Sequence, residues 1–150
     1  FNGDKQSGEL ICNKSIADDV MEIFSSLYDN GYQIESIRLV DDYGGDDEAS
    51  MEADNTSCFN YRTIAGSKKK SKHSLGLAID INPLYNPSIT YDKKGNAEIA
   101  PVNASDYADR TASFPYKIDD QDLAYKTFTS HGFTWGGNWN SLKDYQHFEK

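Results

Sequence analysis

Apolar residues near the start of the chain recur at the spacing of a helix. The positions on one face are Ile16, Val20, Ile23, Phe24 and Leu27. Because they lie three or four residues apart, they predict an amphipathic helix. Asn13-Lys14-Ser15 offers side chains that can cap the first turn, and Gly31 is expected to end the helix.

A second helix is predicted in the last third of the chain. Its apolar positions are Leu123, Ala124 and Phe128. Asp119 or Asp120 can cap its start, and His131-Gly132 is expected to end it. Because the C-terminus of a helix favours a cation, His131 is interpreted as a cap of this helix.

Short segments rich in branched and aromatic residues predict strands. They are residues 34–40, 59–62, 75–81, 89–91, 97–99, 133–137 and 145–149. Segments 89–91 and 97–99 flank Lys93-Lys94-Gly95-Asn96 and predict a hairpin. Segment 75–81 is nearly all apolar, so we expect it to be buried on both faces.

Polar stretches separate these elements. Residues 41–55 form an acidic run that lacks the ligand spacing of an EF-hand, and we interpret it as a solvated loop with room for a helical turn. Residues 66–72 predict a basic loop, and residues 101–118 a long connection of the kind that shapes clefts.

The order of these elements predicts an α+β fold. A mainly antiparallel sheet with helices packed on one side accounts for strands scattered among two helices. No repeat or linker interrupts the pattern, so we expect a single domain over residues 1–150. Residues 1–13 are polar and are expected to form a flexible N-terminal arm.

Composition narrows the class of partner. The chain has 150 residues, with ten Tyr and seven Phe to fill a core, and a net charge of -9. This charge argues against a nucleic-acid partner, which calls for a basic face. No apolar run approaches the roughly 20 residues that a membrane span needs. We expect a monomer.

The basic run Lys68-Lys69-Lys70, followed by Lys72, allows two interpretations. It is either a solvated loop or a positive rim that attracts an anionic polymer or a substrate carboxylate.

The two cysteines, Cys12 and Cys58, also allow two interpretations. They form one disulfide, if the protein is exported, or they are two buried thiols. Because the chain begins at Phe1 without a signal-peptide pattern, we expect a processed or trimmed form.

Two segments carry residues spaced like a metal site. Residues 71–80 contain His73 and Asp80, and residues 144–147 contain Asp144 and His147. Two imidazoles and one carboxylate suit zinc, and a fourth position left open to water suits catalysis.

Asp80 gives the strongest physical argument for a cation. It follows Leu77-Ala78-Ile79 and precedes Ile81, so we expect it to be buried. An unpaired ionised carboxylate there would cost on the order of several kcal/mol, and its partner is either a metal or an arginine. Gly76 can supply the bend that brings His73 to the same side.

Asp144 lies three residues before His147. At this spacing its carboxylate can reach a water molecule held near His147 and accept a proton as the water attacks a carbonyl. The alternative is that His147 is a half-buried core histidine and Asp144 a surface acid.

Three motifs together resemble a known family. Ser-x-His-x-x-Gly-x-Ala-x-Asp from Ser71, then Trp-Gly-Gly from Trp135 and Asp-x-x-His-Phe-Glu from Asp144, are similar to motifs of the zinc D-alanyl-D-alanine carboxypeptidases. This family includes L-alanyl-D-glutamate endopeptidases of phage lysins and belongs to a fold group with lysostaphin-type peptidases and the hedgehog domain. The likeness covers most of the chain from Phe59 and implies a hedgehog-like fold.

The resemblance assigns roles residue by residue. It implies that three residues bind one zinc ion: His73, Asp80 and His147. It implies that Asp144 is the catalytic acid/base and Arg62 steadies the developing oxyanion. It places Ser71 at the substrate carboxylate and Trp135 near the cleft. From the residues alone, Arg62 can instead pair with a loop acid, Ser71 can be a turn residue and Trp135 a core residue.

The function implied is a bacterial, secreted zinc peptidase of the peptidoglycan stem peptide. A D-alanyl-D-alanine carboxypeptidase is the first expectation and an L-alanyl-D-glutamate endopeptidase that lyses the wall the second. A non-catalytic, zinc-stabilised binding module on the same fold is the rival from another class. The expected location is extracytoplasmic, in the periplasm or cell envelope.

Overall fold

The computed structural model describes residues 1–63 and 69–150. The α-helices of this part are α1 (Ala17–Asp29), α2 (Asp47–Glu52) and α3 (Leu123–Ser130). The strands are β1 (Ser36–Ile37), β2 (Asn55–Thr56), β3 (Ala78–Asp80), β4 (Ser88–Tyr91), β5 (Ala97–Ala100), β6 (Thr134–Trp135), β7 (Lys143–Asp144) and β8 (His147–Glu149). The predicted α+β class is confirmed.

The described strands form three small sheets. One antiparallel sheet has the order β3-β8-β6 and another the order β5-β4-β7, while β1 and β2 form a parallel pair. The strands are therefore mainly antiparallel, as predicted, but they form two antiparallel sheets and not one. The predicted hairpin is β4-β5, in which Ile89 lies opposite Ile99.

The core lies between two helices and one face of the β3-β8-β6 sheet. From α1 the buried residues are Val20, Ile23 and Leu27, and from α3 they include Ala124 and Phe128. The ring of Phe128 stacks on Phe148 of β8 with centroids 4.3 Å apart. This packing uses the apolar faces that the helical periodicity predicts.

Helix starts follow the capping chemistry of their sequences. Asn13 caps a 3-10 turn, Lys14–Ile16, that leads into α1, and its side-chain oxygen accepts a hydrogen bond from the Ser15 backbone. Asp122 caps α3 by accepting a hydrogen bond from the Ala124 backbone at 2.8 Å. The predicted caps Asp119 and Asp120 are thus wrong by two or three residues.

Several predicted strands are shorter or missing. Only Ser36–Ile37 of the predicted segment 34–40 is a strand, because Val40 begins a 3-10 turn, Val40–Tyr43. Residues 59–62 form no strand, and the neighbouring pairing is a single bridge between Thr63 and Lys70. In segment 75–81 Leu75 is exposed and lies in a 3-10 helix, Lys72–Leu75.

The loops also differ from their predictions. The acidic run 41–55 contains the whole of α2 and the first residue of β2. The connection 101–118 contains a 3-10 helix, Val102–Tyr107. Residues 66–68 of the predicted basic loop, including Lys68, lie outside the described residues.

The N-terminal residues contact several segments although they contain no strand or α-helix. The backbone nitrogen of Glu9 donates to Ile37 O at 3.0 Å, and that of Asn13 donates to Gly76 O at 2.8 Å. Cys58 lies in the core, Cys12 packs against the core, and both are free thiols. Within the described ranges, no helix is long and apolar enough to cross a membrane.

Asp54 is a buried carboxyl that opposes folding at neutral pH. It is 3% exposed, and its Oδ1 accepts a hydrogen bond from the Leu84 backbone while Oδ2 has no partner among the described residues. Burial, assisted by the charge of Glu35 and opposed by the Leu84 bond, raises its pKa from 3.8 to about 7.

We expect Asp54→Asn to stabilise the protein at neutral and alkaline pH. A carboxyl with a raised pKa binds more protons in the folded chain, so the free energy of unfolding falls as pH rises from 3.8 to about 7. Asn removes this loss and tolerates the positive φ of 54°. Urea unfolding at about pH 8 should show a gain of about 1 to 4 kcal/mol.

The same variant at about pH 4 is the control, because Asp54 is then protonated in the folded protein and the gain should nearly vanish. A gain of equal size at both pH values would show that ionisation of Asp54 is not the cause.

Candidate metal centre

Two neighbouring strands bring Asp80 and His147 together. β3 pairs with β8 in antiparallel register, and Asp80 lies directly opposite His147. Side chains of directly opposed residues project from the same face of a sheet. Ile79 and Phe148, the next opposed pair, therefore point the other way, and both belong to the core. One face of this sheet is thus core and the other carries the candidate site.

His73 reaches the same place from the 3-10 helix Lys72–Leu75. Ser71 caps this helix, since its Oγ accepts a hydrogen bond from the His73 backbone nitrogen at 3.2 Å. Gly76 ends it with a φ of 64°, and a Cβ atom there would lie 2.7 Å from the Asn13 nitrogen. Only glycine fits both conditions, so the bend predicted at Gly76 is confirmed.

The three side chains converge on one point. His73 Nε2 lies 3.1 Å from His147 Nδ1 and 3.1 Å from Asp80 Oδ2, and His147 Nδ1 lies 3.0 Å from Asp80 Oδ1. All three residues are buried, with exposures of 1%, 4% and 5% for His73, Asp80 and His147. They form a cluster whose donor atoms all face one another.

Outer hydrogen bonds orient both imidazoles. His73 Nδ1 donates to the Cys58 carbonyl at 2.7 Å, and His147 Nε2 donates to Glu149 Oε2 at 3.1 Å. Each ring then has its other nitrogen, Nε2 of His73 and Nδ1 of His147, directed at the cluster. Hydrogen bonds of this kind fix the tautomer that a metal-binding histidine needs.

The cluster is electrostatically suited to a cation. Burial disfavours a charge on Asp80, but the charge of His73 and hydrogen bonds from both histidines hold its pKa below the usual range. Burial also opposes a charge on His147, yet hydrogen bonds to Asp80 and Glu149 outweigh it and raise the pKa to about 10. The sequence predicted a metal or an arginine as the partner of Asp80. Among the described residues its ion-pair partners are these two histidines, and the Asp80 carboxylate favours positive charge between them.

Asp144 lies beside the cluster on β7. Gly136 packs directly against it, since a Cβ atom at Gly136 would lie 2.8 Å from the Asp144 Cβ. The Oδ1 atom of Asp144 is shielded from solvent and has no hydrogen-bond partner among the described residues. Burial raises the pKa of Asp144 to about 6. The positive charge of His147 opposes this rise, and the negative charge of Asp80 adds to it.

Arg62 makes an ion pair close to this site. Its Nε lies 2.9 Å from Asp47 Oδ2, which is the pairing with a loop acid that the sequence left open. The charge of Arg62 nevertheless acts on Asp144, where it favours the ionised carboxylate. Arg62 is thus held by Asp47 and still close enough to influence the site.

Comparison with known proteins identifies the family. Residues 65–150, more than half of the chain, match the profile of a family described as D-alanyl-D-alanine carboxypeptidase. The chain belongs to this family. No curated protein matches it, and no solved structure does. The predicted hedgehog-like fold therefore stays a prediction.

Membership of this peptidase family agrees with the donor set of the cluster. Two imidazole nitrogens and a carboxylate are ligands that zinc prefers, and ligands in a tetrahedron around zinc lie roughly 3.3 Å apart. The 3.0–3.1 Å separations between the described donor atoms are close to this value. The residues present therefore fit a metal ion of this kind.

Ser71 and Trp135 are set apart from the cluster by their contacts. The Ser71 hydroxyl caps the helix that carries His73. Trp135 lies opposite Phe148, so the register turns it toward the core, where its Nε1 donates to Tyr145 O at 2.9 Å. Their contacts with substrate stay predictions, and for Trp135 the 6% exposure does not favour one.

The structure adds residues that the sequence analysis did not single out. Glu149 follows His147 by two residues, and period-two alternation could have placed it on the same face. No local sequence pattern indicated a role for the Cys58 carbonyl or for Asp47, since both lie far from the motifs in sequence.

His131 caps α3 as predicted, with Nδ1 donating to Thr127 O at 2.8 Å.

We expect the purified protein to bind one zinc ion at the cluster. Asp80→Asn removes the ligand charge while keeping the shape, so zinc affinity should fall more than about 100-fold. Glu149→Gln weakens only the outer hydrogen bond and should cost about 10- to 100-fold. Competition with a chromophoric chelator measures both affinities.

His131→Gln is the matched control, because it removes the remaining histidine at a helix end without touching the cluster. Unchanged zinc affinity in Asp80→Asn, or an equal loss in His131→Gln, would contradict the assignment of the metal to this cluster.

Proposed function

We propose that the protein is a zinc-dependent peptidase of the peptidoglycan stem peptide, acting as a D-alanyl-D-alanine carboxypeptidase. The observation that carries this proposal is a carboxylate oxygen of Asp144, shielded from solvent and without a hydrogen-bond partner in the described part of the chain, next to the His73, Asp80 and His147 cluster. A metal site with a purely structural role has no use for such a base, whereas peptide hydrolysis requires one.

In this proposal the three clustered residues hold the zinc ion. Zinc bound there would polarise the scissile carbonyl and lower the pKa of a water molecule. The outer hydrogen bonds from His73 to Cys58 O and from His147 to Glu149 keep the ligand nitrogens pointing inward. The core packs against the opposite face of β3 and β8, the strands that carry Asp80 and His147.

Asp144 is the proposed acid/base. Its pKa of about 6 leaves the carboxylate able to accept a proton from water near neutral pH and to return it to the leaving amine. Arg62 is the proposed donor to the oxyanion, since its charge lies close enough to act on Asp144.

Removal of a terminal D-alanine requires recognition of a free carboxylate. We propose that the Ser71 hydroxyl and its neighbours Lys70 and Lys72 contribute to this recognition. The choice of a D-alanyl-D-alanine substrate is supported by the family description. Cleavage of the L-alanyl-D-glutamate bond is the second candidate, because it needs the same zinc chemistry with another peptide in the cleft. Because stem peptides lie outside the cytoplasmic membrane, we propose an extracytoplasmic location.

We expect Asp144→Asn to slow peptide cleavage strongly while zinc stays bound. Loss of the proton acceptor should lower kcat by about 100- to 10,000-fold, since general base catalysis contributes that much. The measurement is a digest of defined stem pentapeptides followed by mass spectrometry, which also shows which bond is cut.

Zinc content and thermal stability of the same variant are the controls. If Asp144→Asn cleaves the peptides as fast as the wild type, Asp144 is not the base. If the zinc-loaded wild type cleaves no stem peptide and removal of zinc only unfolds it, the protein is a zinc-stabilised binding module.

A further inference from the structure

Asp47 connects the acidic run to the candidate site. It is the first residue of α2, and its two carboxylate oxygens contact two residues of the 60–62 segment. Oδ1 accepts a hydrogen bond from Asn60 Nδ2 at 2.8 Å, and Oδ2 lies 2.9 Å from Arg62 Nε. No other acidic residue of the described chain has an ion pair with Arg62 among the observed contacts.

The Arg62 backbone is anchored separately from its side chain. Its nitrogen donates to Ser74 Oγ at 2.9 Å, and its carbonyl accepts a hydrogen bond from the Ser71 nitrogen at 3.1 Å. Ser71 and Ser74 flank His73, so the Arg62 backbone is tied to the helix that carries a metal ligand. These bonds fix the position of the Arg62 backbone, but they do not fix the position of its guanidinium group.

The contact with Asp47 determines the position of the guanidinium. Both side chains are partly shielded, at 32% and 26% exposure for Arg62 and Asp47. The Nε–H has no hydrogen-bond geometry toward Oδ2, so attraction between opposite charges holds the pair. Because Nε is the guanidinium nitrogen nearest the stem of the side chain, the contact restrains the direction in which the guanidinium points.

We propose that Asp47 is a positioning residue that holds the Arg62 guanidinium where it meets the developing negative charge of the substrate. This rests on the proposed peptidase function and on the role proposed there for Arg62. Asn60 restrains Asp47 in turn, so the unit that orients the arginine is Asn60, Asp47 and Arg62.

The first test is a double-mutant cycle on the zinc-loaded protein with a stem pentapeptide that ends in D-alanyl-D-alanine. Asp47→Asn should lower kcat about 10-fold with little change in KM. The reason is that the contact between Arg62 and the substrate matters mainly in the transition state. If Asp47 acts through Arg62, Asp47→Asn should have no further effect in an Arg62→Ala background.

Two further variants separate positioning from a general structural effect. Asp47→Glu keeps the charge and should recover most of the wild-type kcat, and it also serves as the test if Asp47→Asn does not fold. Glu52→Gln removes an exposed negative charge from the other end of α2 and should leave kcat unchanged. Losses that multiply in the double variant, or an equal loss in Glu52→Gln, would overturn the proposal.

The second test measures binding and needs no turnover. Calorimetry compares a phosphinate analogue of D-alanyl-D-alanine, which carries a tetrahedral anionic centre, with free D-alanine. Asp47→Asn should weaken the phosphinate about 10-fold and leave D-alanine unaffected. Equal affinity of the phosphinate for wild type and variant would overturn the positioning role.

The two tests also distinguish this proposal from the proposed function. A wild type that neither cleaves the pentapeptide nor binds the phosphinate overturns the peptidase function itself, and the positioning role with it. A wild type that does both, with additive effects of Asp47 and Arg62, keeps the peptidase function and overturns the role of Asp47 alone.

Discussion

The antiparallel register of β3 and β8 is the constraint on which the candidate site depends. It places Asp80 opposite His147 on one face and Ile79 opposite Phe148 on the other. A shift of one residue would move Asp80 into the core and Ile79 out of it, which hydrophobic burial opposes. The packing of Ile79 and Phe148 against α1 and α3 therefore also fixes the geometry of two proposed metal ligands.

A second layer of contacts orients the side chains that this register brings together. The Cys58 carbonyl and Glu149 engage the outer nitrogens of the imidazoles. Gly136 allows its backbone to pack directly against Asp144. These groups come from widely separated parts of the chain, so the site is a product of the whole α+β fold and not of one motif.

The secondary structure was predictable where a segment carries its own pattern. The helix α1 follows from the spacing of Ile16 to Leu27, and the β4-β5 hairpin from the turn residues between its strands. The prediction of a strand at residues 59–62 is wrong because strand preference depends on a continuous pairing partner. The backbone of this segment instead bonds to three separate places in the described chain, at Ile11, His73 and Ser71. In the acidic run 41–55 the sequence left room for a helical turn. The structure has the α2 helix there, and Asp46 caps it by accepting a hydrogen bond from the Ala49 backbone.

The sequence by itself determined the chemistry available at the site. It identified His73, Asp80 and His147 as a donor set and required a cation near Asp80, because an apolar neighbourhood makes a lone carboxylate costly. Only the tertiary structure decided which ring nitrogens point inward and that Asp47 holds Arg62. Those facts depend on distances between residues far apart in the chain, which local periodicity and spacing do not encode.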